Sequence, residues 1–124
     1  MRKKILIVDD EMTFGQLIKL NLEETEQYEV RIETKGALAI ATAKEFQPDL
    51  ILLDIVMPDV DGGELAHRIK DDKFLKDIPI IFLTALVKKD EVDSEHGMIG
   101  GHPFIAKPVN TDELIDIINK NIKY

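Results

Sequence analysis

Residues 50–58 read LILLDIVMP, and the fold turns on how this stretch is read. Four apolar residues, Leu50 to Leu53, run straight into Asp54, and Pro58 closes the segment. A strand with one wet face alternates polar and apolar residues. A run that is apolar at every position needs cover on both faces, as in a parallel sheet between two layers of helices. Lys4–Val8 (KILIV) and Pro79–Leu83 (PIIFL) share that character. Glu29–Thr34 (EVRIET) alternates, which suits a strand nearer an edge, and Phe104–Ala106 (FIA) is a fifth candidate.

Helical patterns fill the gaps. Phe14, Leu17, Ile18 and Leu22 recur at the spacing of one helix face. Gly36–Phe46 is alanine-rich, and Gly63–Lys70 follows the turn at Asp61-Gly62. Thr111–Ile122 repeats Leu114, Ile115, Ile118 and Ile122, with Asn110 or Thr111 as a cap and acids in its first turn. Val87–Gly101 has the length of a helix but few apolar residues and three glycines, which predicts a short, mobile one. The alternation predicts an α/β, doubly wound, five-stranded parallel sheet of order 2-1-3-4-5, in one domain over residues 1–124.

Composition narrows the function. With 44% hydrophobic and 32% charged residues, the chain is ordinary for a folded domain. It has no cysteine, which removes disulfides, thiolate chemistry and zinc–sulfur sites together. No apolar run approaches the roughly 20 residues of a membrane helix. The start, MRKKILIVDD, meets two acids too soon for a signal peptide, so the expected location is the cytoplasm. A net charge of −8 argues against direct nucleic-acid binding. Either the acids solvate the surface or some of them converge on a cation.

The strand ends favour convergence. Asp9 and Asp10 follow the first strand, Asp54 the third, Thr84 the fourth and Lys107 the fifth. In the expected order these strands are neighbours, and ligands of such folds bind beyond their carboxyl ends. Two carboxylates about 4 Å apart repel by roughly 4 kcal/mol at an effective dielectric of 20. A hard divalent cation relieves that repulsion, and Mg²⁺ leaves room for phosphate oxygens. Asp54 then reads as the nucleophile that forms an aspartyl phosphate, Asp9 and Asp10 as metal ligands, Lys107 as a mobile counter-charge first paired with Asp54, and Thr84 as a hydrogen-bond donor to the phosphoryl group. Taken singly, Asp9-Asp10 is an ordinary turn, with Asp10 also able to cap the first helix. Thr84 alone is an ordinary strand end, and Lys107 an ordinary surface charge. His67, His96 and His102 read as exposed histidines.

Asp9-Asp10, LILLD, MPDVDG (57–62), Thr84-Ala85 and Lys107-Pro108, in this order, resemble the receiver domain of two-component response regulators over essentially the whole chain. The resemblance implies a flavodoxin-like (βα)5 fold with Asp54 as phosphoacceptor, supplied by a sensor histidine kinase, a phosphotransfer protein or acetyl phosphate. It implies Mg²⁺ on Asp9, Asp10, Asp54 and the backbone carbonyl of Val56. Thr84 and Phe104 correspond to a coupled switch pair, and the Lys107–Pro108 bond is usually cis in the family. The implied role is a signalling switch rather than an enzyme, acting on a downstream protein or output domain through the face formed by residues 84–107, with homodimerisation on phosphorylation a further family habit. Two departures fall on that face: Gly100-Gly101-His102-Pro103 precedes the aromatic, and the interval from Thr84 to Lys107 is about one residue longer than usual.

Three other readings compete. A phosphatase of the haloacid dehalogenase type places a second acid two residues after its nucleophile, where this chain has Val56. A flavin or nucleotide binder needs a phosphate-cradling loop after the first strand, where this chain has Asp9-Asp10-Glu11. A degenerate receiver would act as a phosphorylation-independent interaction module. Within the receiver reading, Val56 and Leu86 lie two residues beyond Asp54 and Thr84. Both are apolar and are expected to hinder an attacking water, giving a long-lived phosphorylated form.

Overall fold

Strands form where both faces can be covered. The computed structural model describes residues 2–85, 98–99 and 101–123. Its strands are β1 (Lys3–Val8), β2 (Tyr28–Glu33), β3 (Leu50–Asp54), β4 (Ile80–Thr84), β5 (Met98–Ile99) and β6 (His102–Ala106). They lie in one sheet in the order β2-β1-β3-β4-β6-β5. The five expected strands, β1 to β4 and β6, pair in parallel in the expected order. The short β5 is an addition: it pairs antiparallel with β6 and takes two residues from the segment read as a helix. The rest of that expectation, at 87–97 and 100, lies outside the described residues.

Helices α1 (Met12–Glu23) and α4 (Thr111–Asn121) cover one face, and α2 (Ala39–Phe46) and α3 (Gly62–Asp71) the other. The period-2 geometry of a strand divides each apolar run between them. Leu6, Val8, Ile51, Leu53, Ile80 and Phe82 pack with Ala43, Leu65 and Ile69. Their alternates, Ile5, Ile7, Leu50, Leu52, Ile81 and Leu83, pack with Ile18, Leu22, Leu114 and Ile118. Each such side chain contributes about 1.5–3 kcal/mol, so neither face could be left wet. Two hydrogen bonds clasp the chain's first and last parts: Tyr28 OH to Asn119 Oδ1 (3.1 Å) and Asn21 Nδ2 to Thr111 Oγ1 (3.2 Å).

Local chemistry sets the helix limits. Asn110 Oδ1 accepts from Glu113 N at 3.1 Å and Asp61 Oδ1 from Gly63 N at 3.1 Å, so both act as N-caps. Asp10 caps nothing; Glu11 holds the N-cap position of α1, without a side-chain bond. Gly36–Leu38 forms a 3₁₀ turn ahead of α2, because the Asp59 carboxylate draws the N–H groups of Gly36 (3.3 Å) and Ala37 (3.0 Å) toward it. Leu17 leaves the buried face of α1 and is 56% exposed. It is turned about 100° around the axis from Ile18, and Gly15 fills the stripe against Ile32 instead.

Gly62, the first residue of α3, has no room for a side chain. A Cβ there would overlap the Asp54 carbonyl oxygen and lie 2.6 Å from Ile55 Cα, both backbone atoms at the carboxyl end of β3. Next to it, a Cβ on Gly63 would meet nothing nearer than Asp61 Oδ1 at 3.7 Å. Urea unfolding should show Gly62→Ala losing more than about 2 kcal/mol and Gly63→Ala changing by less than about 1 kcal/mol. Equal effects would refute the close approach.

Candidate acidic site at the carboxyl ends of the strands

β1 is the topological switch point. Its chain successor β2 lies on one side and β3 on the other, so the two crossovers leave a crevice beyond the carboxyl ends of β1 and β3. Asp9 enters it directly after β1, its N–H still bonded to Glu33 O at 3.1 Å. Asp54 is the last residue of β3, and Thr84 the last of β4. Lys107 follows β6 and is pinned by its N–H to Thr84 O at 2.8 Å. The Lys107–Pro108 peptide bond is cis.

Asp9, Asp10 and Asp54 each offer a carboxylate oxygen, and the three oxygens lie within 4.8 Å of one another. Asp9 is fully buried and Asp54 nearly so, while Asp10 is exposed. Among the described residues, one ammonium serves this group. Lys107 Nζ lies 2.8 Å from Asp9, 3.3 Å from Glu11 and 3.8 Å from Asp54. The sequence pairs Lys107 with Asp54; in the structure that is the longest of its three contacts, because Asp9, fully dry, takes the lysine first. The second oxygen of Asp9 accepts from Glu11 N at 2.9 Å.

This unequal sharing sets the charge states. Burial pushes the Asp54 carboxyl up to about 6, and the field of Asp9 adds to the rise. Lys107 and the N–H of Val56, 3.3 Å from Asp54 Oδ1, oppose it incompletely. Burial works against the Lys107 charge, yet its bond to Asp9 and the fields of Asp9 and Asp54 carry its pKa above the usual lysine value. The arrangement is therefore one firmly charged ammonium beside a carboxylate that ionises reluctantly.

Two residues of the site went unread in the sequence. Glu11 follows the acid pair and looks like one more acid, but it is the second partner of Lys107. Phe14 was assigned to a helix face; its ring also lies 4.3 Å from the Lys107 ammonium, a cation–π contact. The remaining expected residues are placed as follows. Thr84 is buried, and Phe104 is buried on β6 in register with Phe82. Val56 is on the rim and 54% exposed, and Leu86 lies outside the described residues. His102 is partly buried with its ring edge-on to Phe82 at 5.5 Å, not exposed; His67 is exposed, and His96 lies outside the described residues.

Known proteins share this frame. The family model for the response regulator receiver domain matches residues 5–119. The chain belongs to that family. A curated relative, the DNA-binding dual master transcriptional regulator RpaA of Synechocystis sp. (strain ATCC 27184 / PCC 6803 / Kazusa), is 34% identical over 113 residues. The match covers 90% of this chain and 46% of that protein, so the chain spans about half the length of this relative. The chemotaxis protein CheY4 of Vibrio cholerae superposes with a TM-score of 0.83 at 25% identity, over 98% of this chain and 100% of the other. The receiver domain of a signal transduction histidine kinase from Syntrophus aciditrophicus gives 0.79 at 33% identity, over 95% and 88%. No helix among the described residues of this receiver domain is long and apolar enough to cross a membrane.

The raised pKa of Asp54 has a measurable cost. Below about pH 4 the group is protonated in folded and unfolded chains alike, and nothing is lost. Between pH 4 and 6 the unfolded chain releases the proton first, so folding stability falls as pH rises; above about 6 the full penalty is present. A shift of this size is worth at most about 3 kcal/mol. Asp54→Asn should therefore be more stable than the parent by about 1–3 kcal/mol at pH 7.5, with the gain shrinking toward zero at pH 4 in urea titrations. A gain independent of pH would mean that Asp54 ionises freely.

Proposed function

We propose that residues 1–124 form one receiver module in which Asp54 is phosphorylated with the help of Mg²⁺ and the change is passed to the face formed by residues 84–107. The observation that supports this most directly is the cluster of buried Asp9 and Asp54 with exposed Asp10, to which, among the described residues, Lys107 supplies the ammonium. Such a charge excess fits a hard divalent cation. Asp9, Asp10, Asp54 and the carbonyl of Val56 would hold it, and when bound it would neutralise the carboxylates and the incoming phosphoryl oxygens.

The chain's own groups supply the rest. An Asp54 oxygen attacks phosphorus, and the new O–P bond forms as the P–N bond of a phosphohistidine, or the P–O bond of acetyl phosphate, breaks. The electron pair leaves on imidazole or acetate. A buried carboxylate is poorly solvated, so it has little water to shed before it attacks. Lys107 is already within 3.8 Å of Asp54 and moves onto a phosphoryl oxygen as a point charge. The Thr84 hydroxyl donates a hydrogen bond to another oxygen. That displacement of Thr84 is felt by Phe104, buried one strand away on β6, and shifts the 84–107 face between two states.

In this reading the domain turns over no external substrate and catalyses only its own phosphorylation and dephosphorylation. Its donor is a sensor histidine kinase or phosphotransfer protein in the cytoplasm. The receiving side is a downstream protein, an output domain or a second phosphorylated copy, and no direct contact with nucleic acid is involved.

Intact mass spectrometry after incubation with Mg²⁺ and acetyl phosphate should show one added phosphoryl group on the parent and none on Asp54→Asn. If the parent gains nothing and Mg²⁺ leaves its thermal stability unchanged, the domain is a phosphorylation-independent interaction module instead. Val56, half exposed on the rim, is expected to hinder the water that hydrolyses the phosphorylated form. Val56→Asn should lose phosphate several-fold faster, followed by the decay of the phosphorylated mass; equal lifetimes would remove Val56 from that role.

A further inference from the structure

At the other end of the strands the surface changes sign. Helix α2 ends at Gln47, whose backbone is left-handed (φ 53°), and Pro48 turns the chain into β3. Phe74, Leu75 and Ile78 come from the segment that leads into β4. Together they bound a cavity of about 490 Å³ whose floor is formed by the buried Ala43 and Leu75. Phe74 stands at its mouth and is 71% exposed. No other large apolar side chain among the described residues is as exposed. The ammonium groups of Lys73 and Lys44 lie 5.1 and 5.9 Å from its ring centroid.

The charge around this mouth is positive. Asp72 is already engaged: it pairs with Lys44 at 3.0 Å and accepts from Phe74 N at 2.8 Å. A second hollow, about 290 Å³, shares Gln47 and is lined by Arg2, Lys3 and Lys4. Its carboxylate, Asp49, accepts the N–H of Lys4 at 2.8 Å. A basic rim around an apolar cavity, on a chain of net charge −8, is a local inversion of the whole.

We propose that this groove is a docking site for an acidic peptide segment of a partner protein. One aliphatic or aromatic side chain of the segment would fill the cavity beside Phe74, and flanking carboxylates would meet Lys73 and the Arg2–Lys4 edge, Lys44 being held by Asp72. Cations alone would serve any polyanion, but the cavity and its exposed ring add a demand for an apolar anchor. An uncharged apolar partner would leave the basic rim unmatched. The groove and Asp54 sit at opposite ends of β3, about 13 Å apart at the rise of a strand, so binding here is separate from phosphorylation.

Displayed random peptides selected on the unphosphorylated domain should converge on one apolar residue flanked by Asp and Glu. A synthetic peptide of that consensus should bind the parent and Asp54→Asn equally. It should lose about tenfold in affinity on Phe74→Ser and on Lys73→Glu, and weaken as salt rises. Both replaced side chains are exposed, so the variants should keep the thermal stability of the parent, which separates lost contact from lost fold. Selected peptides without acidic residues, no enriched peptide at all, or binding unchanged by Phe74→Ser would each overturn the proposal.

Discussion

Asp9, Glu11 and Asp54 share the ammonium of Lys107, and the site is organised around that sharing. Asp9 is dry and cannot be compensated by water, so Lys107 goes to it at 2.8 Å and reaches Asp54 only at 3.8 Å. Asp54 is therefore the less compensated of the buried pair. This imbalance could not persist on a pliant scaffold, because the groups would drift apart or admit solvent. It persists here because each is fixed to the end of a strand packed on both faces, and all five residues of β3 are buried. The same chain geometry that fills the core thus keeps the charges together.

The fold was legible in the sequence wherever one physical demand dominated. A run such as Leu50–Leu53 can be satisfied only by burial on both faces, and that requirement alone gives parallel strands between helix layers. The acids at the strand ends follow from topology once the strands are placed. What stayed hidden depended on partners distant in sequence. Glu11 and Phe14 matter because Lys107, far along the chain, folds back between them. The 3₁₀ turn at Gly36–Leu38 is set by Asp59, on another loop. Leu17 misled because an apolar side chain at helical spacing is assumed to be buried, whereas the buried stripe runs through Gly15, which has no side chain to announce it.

The chain is electrostatically two-ended. Part of its net acidity gathers in the crevice beyond β1 and β3, while the opposite end of the strands presents Lys73 and the Arg2–Lys4 edge around an exposed aromatic ring.

The clasp between the first and last parts of the chain bears on how the molecule is made. Ile5, Ile7, Leu50 and Leu52 lie on a sheet face whose cover includes Leu114 and Ile118 of α4, and Tyr28 and Asn21 find Asn119 and Thr111 only there. During synthesis, α2 and α3 can close their side of the nascent sheet while the opposite side still lacks half its lid. Until residues 111–121 leave the ribosome, that greasy surface is available to chaperones or to other unfinished chains.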